Sequence, residues 1–266
     1  MLYETLSVQA EAYLGELTCY EHVKLGDIPE MSRPAILVIP GGGYVFLSDR
    51  EGEPIAAEFF NRGYNAYVLK YPLAPARYPA QLCVAAKAMD MIRKRASMCN
   101  TDTTRVYACG FSAGGHLCGC LANCPDTVKE VQQYDFRPNA VVLSYAVLGE
   151  DPGHKDSYAQ LLGDMPRTPD LQWLELVNSV RDDNPPAFIW HTATDNCVAP
   201  VVSLKYAMAY CEKGLKYELH IYPYGGHGMA TVDRRTNDYE IIPPVGRAAN
   251  WINEADAFLR DVRTPV

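Results

Sequence analysis

The sequence predicts an α/β fold: a mostly parallel central sheet with helices on both faces and a small cap insertion, in one domain spanning residues 1–266. Three observations predict it. Strand-like segments rich in β-branched and aromatic residues alternate with helix-like segments along most of the chain. Ala35-Ile36-Leu37-Val38-Ile39 is apolar without interruption, as a central strand covered on both faces must be. Arg105-Val106-Tyr107-Ala108-Cys109 runs through a glycine-flanked serine into the proline-free stretch 113–123, which makes a strand, a sharp turn and a helix in succession.

In chain order, residues 16–25 open with a β region, and the 35–39 strand follows. A helix near 54–61 precedes a strand at 65–70, and a proline-punctuated loop at 71–79 leads to a helix over 80–95. After the 105–123 unit comes a strand at 140–143. Residues 145–180 then break the alternation with Pro, Gly and Asp and hold one helical piece near 171–177; this is the cap insertion. A strand at 185–191, a helix at 201–213 and an alternating strand at 217–222 restore the pattern. The closing helix, about 246–260, spaces Ala249, Ile252, Ala255 and Leu259 along one face. No internal repeat, low-complexity stretch or interdomain linker is visible.

Gly110-Phe111-Ser112-Ala113-Gly114 is a G-x-S-x-G pentapeptide. A serine on so tight a strand-to-helix turn has a strained backbone, with Oγ pushed out above the sheet. Glycines flank it because a Cβ there would meet the neighbouring strand or helix. Alone the pentapeptide is a weak signal; its strand-turn-helix setting makes it specific. The 35–39 strand ends in Pro40-Gly41-Gly42-Gly43-Tyr44. Three glycines let the main chain turn tightly and bring N–H groups close to a substrate. A phosphate loop would need Gly-Lys-Ser/Thr or G-x-G-x-x-G spacing, and neither is present. The N–H groups of Gly42, Gly43 and, at the helix start, Ala113 are therefore the candidate oxyanion donors.

A nucleophilic serine needs an acid and then a histidine downstream. The loop leaving the 185–191 strand carries Asp195, at a carboxyl end where such sheets place functional groups. The loop leaving the 217–222 strand carries His227 between Gly226 and Gly228, free to shuttle a proton. A loop histidine is more often merely exposed, but this one follows both the last strand and a suitable acid. The competitors fit less well. His116 is one turn into the helix, too near Ser112 in sequence to act as its base, and is expected to pack or to orient the glycine loop. His191 and His220 lie within strands and read as structural, and His22 and His154 lack catalytic context. Asp233 follows His227, while Asp182 and Asp183 sit at the wrong end of their strand.

With 48% hydrophobic residues the chain can bury one large core. A net charge of −8 without any Lys/Arg run argues against nucleic-acid and anionic-membrane partners. No signal-like segment opens the chain, and no apolar run approaches the roughly 20 residues of a membrane helix, so a cytoplasmic location is expected. The nine cysteines are scattered; Cys118, Cys120 and Cys124 cluster on one helix without a C-x-x-C pair or a second ligand pair. They read as buried apolar thiols in a reducing compartment, with no metal or cofactor required.

Together these motifs resemble the esterase/lipase group of α/β-hydrolases, and more narrowly the small bacterial carbohydrate esterases similar to acetyl-xylan esterases. The resemblance runs from about residue 35 to the C-terminus. Its carriers are Pro40-Gly41-Gly42-Gly43-Tyr44, Gly110-Phe111-Ser112-Ala113-Gly114-Gly115-His116-Leu117, the strand Pro185-Pro186-Ala187-Phe188-Ile189-Trp190-His191-Thr192 with Asp195, and Gly226-His227-Gly228. Two features depart from it. Pro40 stands where the hormone-sensitive-lipase-like group carries histidine, and Val198-Ala199-Pro200 has one residue more than the usual Val-Pro after the acid. The resemblance implies an α/β-hydrolase fold and cofactor-free ester hydrolysis, with Ser112, His227 and Asp195 as the triad.

The cap insertion offers Tyr145, Tyr158 and Trp173, and Tyr44 adjoins the glycine loop. Aromatic and polar surfaces suit sugar rings, so Tyr44 and Tyr145 are the candidate substrate contacts, with plain packing the competing role. The insertion has no long apolar helix pair. Short acyl groups, acetyl foremost, are expected, on a small-molecule or xylo- or manno-oligosaccharide ester. Either a monomer or a homodimer is compatible with the chain. Two other readings stand: an arylformamidase or small serine peptidase using the same triad, and a non-catalytic binding protein of the same fold, against which the complete Ser, Asp and His set argues.

Overall fold

Residues 1–23, 26–27, 31–237 and 246–262 are described by the computed structural model. Its strands are β1 (Leu2–Ala10), β2 (Tyr13–Glu21), β3 (Arg33–Ile39), β4 (Asn65–Lys70), β5 (Thr101–Phe111), β6 (Val141–Ser144), β7 (Ala187–Thr192) and β8 (Tyr217–Tyr222). The α-helices are α1 (Glu53–Asn61), α2 (Ala80–Lys94), α3 (Ala96–Cys99), α4 (Ser112–Asn123), α5 (Lys155–Leu162), α6 (Val201–Glu212) and α7 (Trp251–Asp261). One sheet of eight strands results, in the order β1-β2-β4-β3-β5-β6-β7-β8. The β1–β2 and β2–β4 pairs are antiparallel, and β4 through β8 pair in parallel.

Alternation along β3 sets the layers. Ala35, Leu37 and Ile39 point to one face, where α2, α4, α5 and α6 supply Leu82, Leu117, Leu161 and Tyr206. Ile36 and Val38 point to the other, against Ile55 and Phe59 of α1 and Trp251 and Phe258 of α7. Burying a side chain such as Phe59 contributes roughly 1.5–3 kcal/mol. The chain crosses from β3 out to β4 through α1, then back past β3 to β5 through α2, so helices fall on opposite faces. The carboxyl ends of β3 and β5 therefore flank the point where strand order reverses, the crevice where such sheets bind ligands. Pro40–Tyr44 leaves one of them and Ser112 the other.

Four expectations need correction. The opening β region is a longer hairpin, Leu2–Glu21, whose first strand lies at the sheet edge and turns Leu6, Val8 and Ala10 inward and Thr5, Ser7 and Gln9 outward; Leu25 lies outside the described residues. In the insertion, the 171–177 stretch is two 3₁₀ segments, Pro169–Leu174 and Leu176–Asn178, and the regular helix is α5. Pro169 at the start of the first segment pre-sets φ, but Trp173 and Leu174 follow local packing rather than a continuing helix. The closing helix begins at Trp251, after a 3₁₀ turn at Ala248–Asn250. Among the thiols, Cys118, Cys120 and Cys124 are buried as expected, whereas Cys197 and Cys211 are exposed. No helix among the described residues is long and apolar enough to cross a membrane.

Candidate active site

Close backbone packing builds the turn around Ser112. A Cβ on Gly114 would stand 2.2 Å from the Ile39 carbonyl oxygen, and one on Gly110 would stand 2.4 Å from the Gly114 oxygen. Neither position can accept a side chain without moving main chain. Ser112 itself has φ of 51°, the left-handed region that a β-carbon disfavours, at the first position of α4. That strain directs Oγ away from the sheet.

Two loops then meet the serine. His227 Nε2 lies 2.8 Å from Ser112 Oγ, and its Nδ1 lies 2.8 Å from Asp195 Oδ2. With Asp195 ionised, Nδ1 carries the proton and Nε2 is left to accept one from the serine. Asp195 is itself held from three sides. Its Oδ1 accepts the N–H groups of Cys197 and Val198 at 2.9 and 3.0 Å, and its Oδ2 also accepts from His191 Nε2 at 3.1 Å. Burial alone would push this carboxyl up, but the hydrogen bonds from His191 and His227 hold it well below the usual carboxylate range. His191 is fixed in turn by Ser203 at 2.9 Å. The strand histidine thus supports the acid, a role that its position four residues before Asp195 could have signalled.

Gly42 and Gly43 line the cavity beside Ser112, with φ values of 122° and 61°. Among the described residues their N–H groups have no protein acceptor. The Ala113 N–H belongs to the first turn of α4, where helix geometry leaves it free. The three expected donors thus sit on the glycine loop and in the first turn of α4, on either side of Ser112.

Tyr44 and Tyr145 require correction as substrate contacts. Both are 1% exposed, with committed hydroxyls. Tyr44 donates to His116 Nδ1 at 2.7 Å, and His116 Nε2 donates to the Leu174 carbonyl at 3.0 Å. Burial pushes His116 down to about 4, against the pull of that carbonyl, so it is a neutral relay that anchors the glycine loop to the insertion. Tyr145 donates to Glu51 Oε1 at 2.8 Å and packs edge-on to His227 with ring centroids 5.0 Å apart. Tyr158 likewise turns inward, onto the Leu174 carbonyl. Glu51 carries no sequence signal, because Ser48-Asp49-Arg50-Glu51-Gly52 is a polar turn without periodicity. The rejected acids are engaged elsewhere: Asp233 with Arg235, Asp182 with Lys213 and Asp183 with Arg181.

A cavity of about 590 Å³ opens over Ser112 and His227. Val45 and Phe46 form an apolar edge, and Arg50, His154, Asp156 and Gln160 supply polar groups. The last three come from α5 and its N-cap, so the insertion reaches the site through polar side chains and not through the expected aromatics.

The structure superposes on that of an acetyl ester-xyloside bifunctional hydrolase from Caldicellulosiruptor lactoaceticus with a TM-score of 0.80 and 31% identity, covering 95% of this chain and 90% of that one. A carboxylesterase from Lactobacillus plantarum superposes with a TM-score of 0.87 and 28% identity, covering 98% of both chains. Fold and kinship define the class: an α/β-hydrolase. The BD-FAE family model matches residues 25–209, and the chain belongs to that family. It is 38% identical over 213 residues to endo-1,4-β-xylanase B of Butyrivibrio fibrisolvens, covering 77% of this chain and 34% of that protein. It is 32% identical over 235 residues to the acetylxylan esterase of Xylanibacter ruminicola, covering 85% and 47%. The chain thus spans a third to a half of the length of these curated relatives.

Proposed function

We propose that the protein is a serine esterase that removes short acyl groups, acetyl foremost, from oligosaccharide esters. The observation that carries this reading is the unbroken hydrogen-bonded series from Ser112 Oγ through His227 to Asp195, beside the free N–H groups of Gly42 and Gly43. Ser112 Oγ attacks the ester carbonyl as its proton passes to His227 Nε2. The developing oxyanion is met by N–H groups of Gly42, Gly43 and Ala113, each contributing on the order of 3 kcal/mol. His227 returns the proton to the departing alcohol. It then takes one from water, which attacks the acyl-serine and frees the acid and Ser112.

The carbohydrate part rests on the relative named acetylxylan esterase and the structure named acetyl ester-xyloside bifunctional hydrolase, and on the polar wall of Arg50, His154, Asp156 and Gln160, which suits a hydroxyl-rich alcohol. Three measurements test it. Fluorophosphonate should label wild type but not Ser112→Ala, with the variant still folded. Turnover should fall steeply from two-carbon to eight-carbon nitrophenyl esters, and acetate should leave acetylated xylo-oligosaccharides. A profile flat or rising with chain length would overturn the short-acyl reading. Hydrolysis of formyl-kynurenine or aminoacyl-arylamides without acetate release would move the activity to an amidase.

A further inference from the structure

Glu51 is a buried carboxylate that the Ser-His-Asp chemistry does not use. It is 3% exposed and borders the cavity. Its Oε2 accepts the Gly41 N–H at 2.8 Å, and its Oε1 accepts the Tyr145 O–H at 2.8 Å. Tyr145 Oη also accepts the Ala230 N–H at 3.0 Å. One series of hydrogen bonds therefore joins the glycine loop, through Glu51 and Tyr145, to the loop that carries His227. The carboxylate is wedged between both ends of the relay. A Cβ on Gly41 would stand 2.9 Å from Glu51 Oε2 and 2.9 Å from Ser112 Cβ, and a Cβ on Gly228, next to His227, would stand 3.9 Å from Glu51 Oε1.

Both contacts point a proton at the carboxylate, as suits its ionised form. Among the described residues it forms no ion pair, and Arg50 attracts it only over a longer distance. A buried anion without a cation is costly unless its surroundings compensate. The nearby group that gains positive charge in turnover is His227.

Resting on the serine-esterase reading, we propose that Glu51 is a positioning residue that holds the oxyanion loop and the His227 loop together and supplies a second anion favouring the His227 imidazolium. Burial pushes the Glu51 carboxyl up, while the Gly41 N–H, the Tyr145 O–H, His227 and the Arg50 guanidinium pull it down. Other charged or titratable groups also face His227. Asp195 and Cys197 come from the loop after β7, Tyr145 from the end of β6, Arg50 from the turn that holds Glu51, and His154 and Asp156 from α5. Asp156 is exposed and screened by water, so Asp195 and Glu51 are the two anions acting from the interior.

The pH dependence of fluorophosphonate labelling tests this, because it reads the free enzyme and needs no knowledge of the natural ester. In Glu51→Gln the acid-side midpoint should move down by roughly 0.5 to 1.5 pH units, since losing an anion makes the imidazolium harder to keep. The plateau rate should fall about tenfold, because the amide offers one acceptor oxygen where the carboxylate offered two, and either the Gly41 N–H or the Tyr145 O–H loses its partner. Tyr145→Phe, which keeps the charge and breaks the link, should lower the plateau and leave the midpoint in place. A folded Glu51→Gln whose midpoint matches wild type overturns the proposal, as does a Tyr145→Phe midpoint that moves equally. Should Glu51→Gln not fold, Glu51→Asp decides: a retained midpoint with a lowered plateau supports the proposal, and a wild-type plateau overturns it. A wild type that takes no label overturns the serine nucleophile, and this proposal with it.

Discussion

Trp251 donates its indole N–H to the carbonyl oxygen of Ala230 at 2.8 Å, tying the first residue of α7 to the loop three residues past His227. The same indole stacks on Trp190 of β7, with ring centroids 5.0 Å apart. The closing helix therefore does more than cover the sheet: it braces the histidine loop against the strand that delivers Asp195. Trp251→Phe should keep much of the stacking and strand the buried Ala230 carbonyl, at a cost of about 1–3 kcal/mol. Chemical denaturation should report that loss, together with a severalfold fall in kcat. Unchanged values of both would mean that the brace is idle.

Asp195→Asn should stay folded and lose on the order of 10³ to 10⁴ in turnover, because the amide favours the wrong His227 tautomer. Asp233→Asn should remain near wild type, since Asp233 bonds Thr231 and Arg235 and not His227. Steady-state kinetics on a two-carbon ester would compare them, and a more damaging Asp233 change would refute the assignment.

His116 makes stability depend on pH. It is buried and pushed down to about 4, while in the unfolded chain it titrates near its ordinary value of 6.5. Between those values the unfolded state binds more protons, so stability rises with pH across the window. The contribution is fully present above about pH 6.5, falls away toward pH 4 and is on the order of 3 kcal/mol in total. His116→Gln should flatten the dependence of the denaturation midpoint on pH across this window. An equal slope in both proteins would contradict the assignment.

Gly114→Ala should not be tolerated, because its Cβ would fall 2.2 Å from the Ile39 oxygen and 2.3 Å from the Pro40 oxygen, both main chain. A loss of several kcal/mol is expected, by analogy with overpacked cores. The thermal midpoint would show it, and a variant as stable as wild type would mean that β3 and α4 can separate freely.

Much of the site was legible because its causes are local. A glycine-flanked serine between a strand and a helix, a glycine run after a fully apolar strand, and an acid and a histidine in loops leaving later strands are features of neighbouring residues. Those placed Ser112, Asp195, His227, Gly42 and Gly43 at the carboxyl ends of strands, and the parallel sheet then brought the ends together. What lies beyond that came from contacts distant in sequence. Tyr44 turns inward because His116, 72 positions away, accepts its hydroxyl, and Tyr145 does so because Glu51 lies 94 positions before it. Strand β1 alternates Leu6, Val8 and Ala10 with Thr5, Ser7 and Gln9, but so short a run marks an edge strand only once β2 pairs with it. Side-chain direction, and the joining of one loop to another through a buried carboxylate, are decided by which distant partner satisfies a polar group once water is excluded, and no local pattern records that choice.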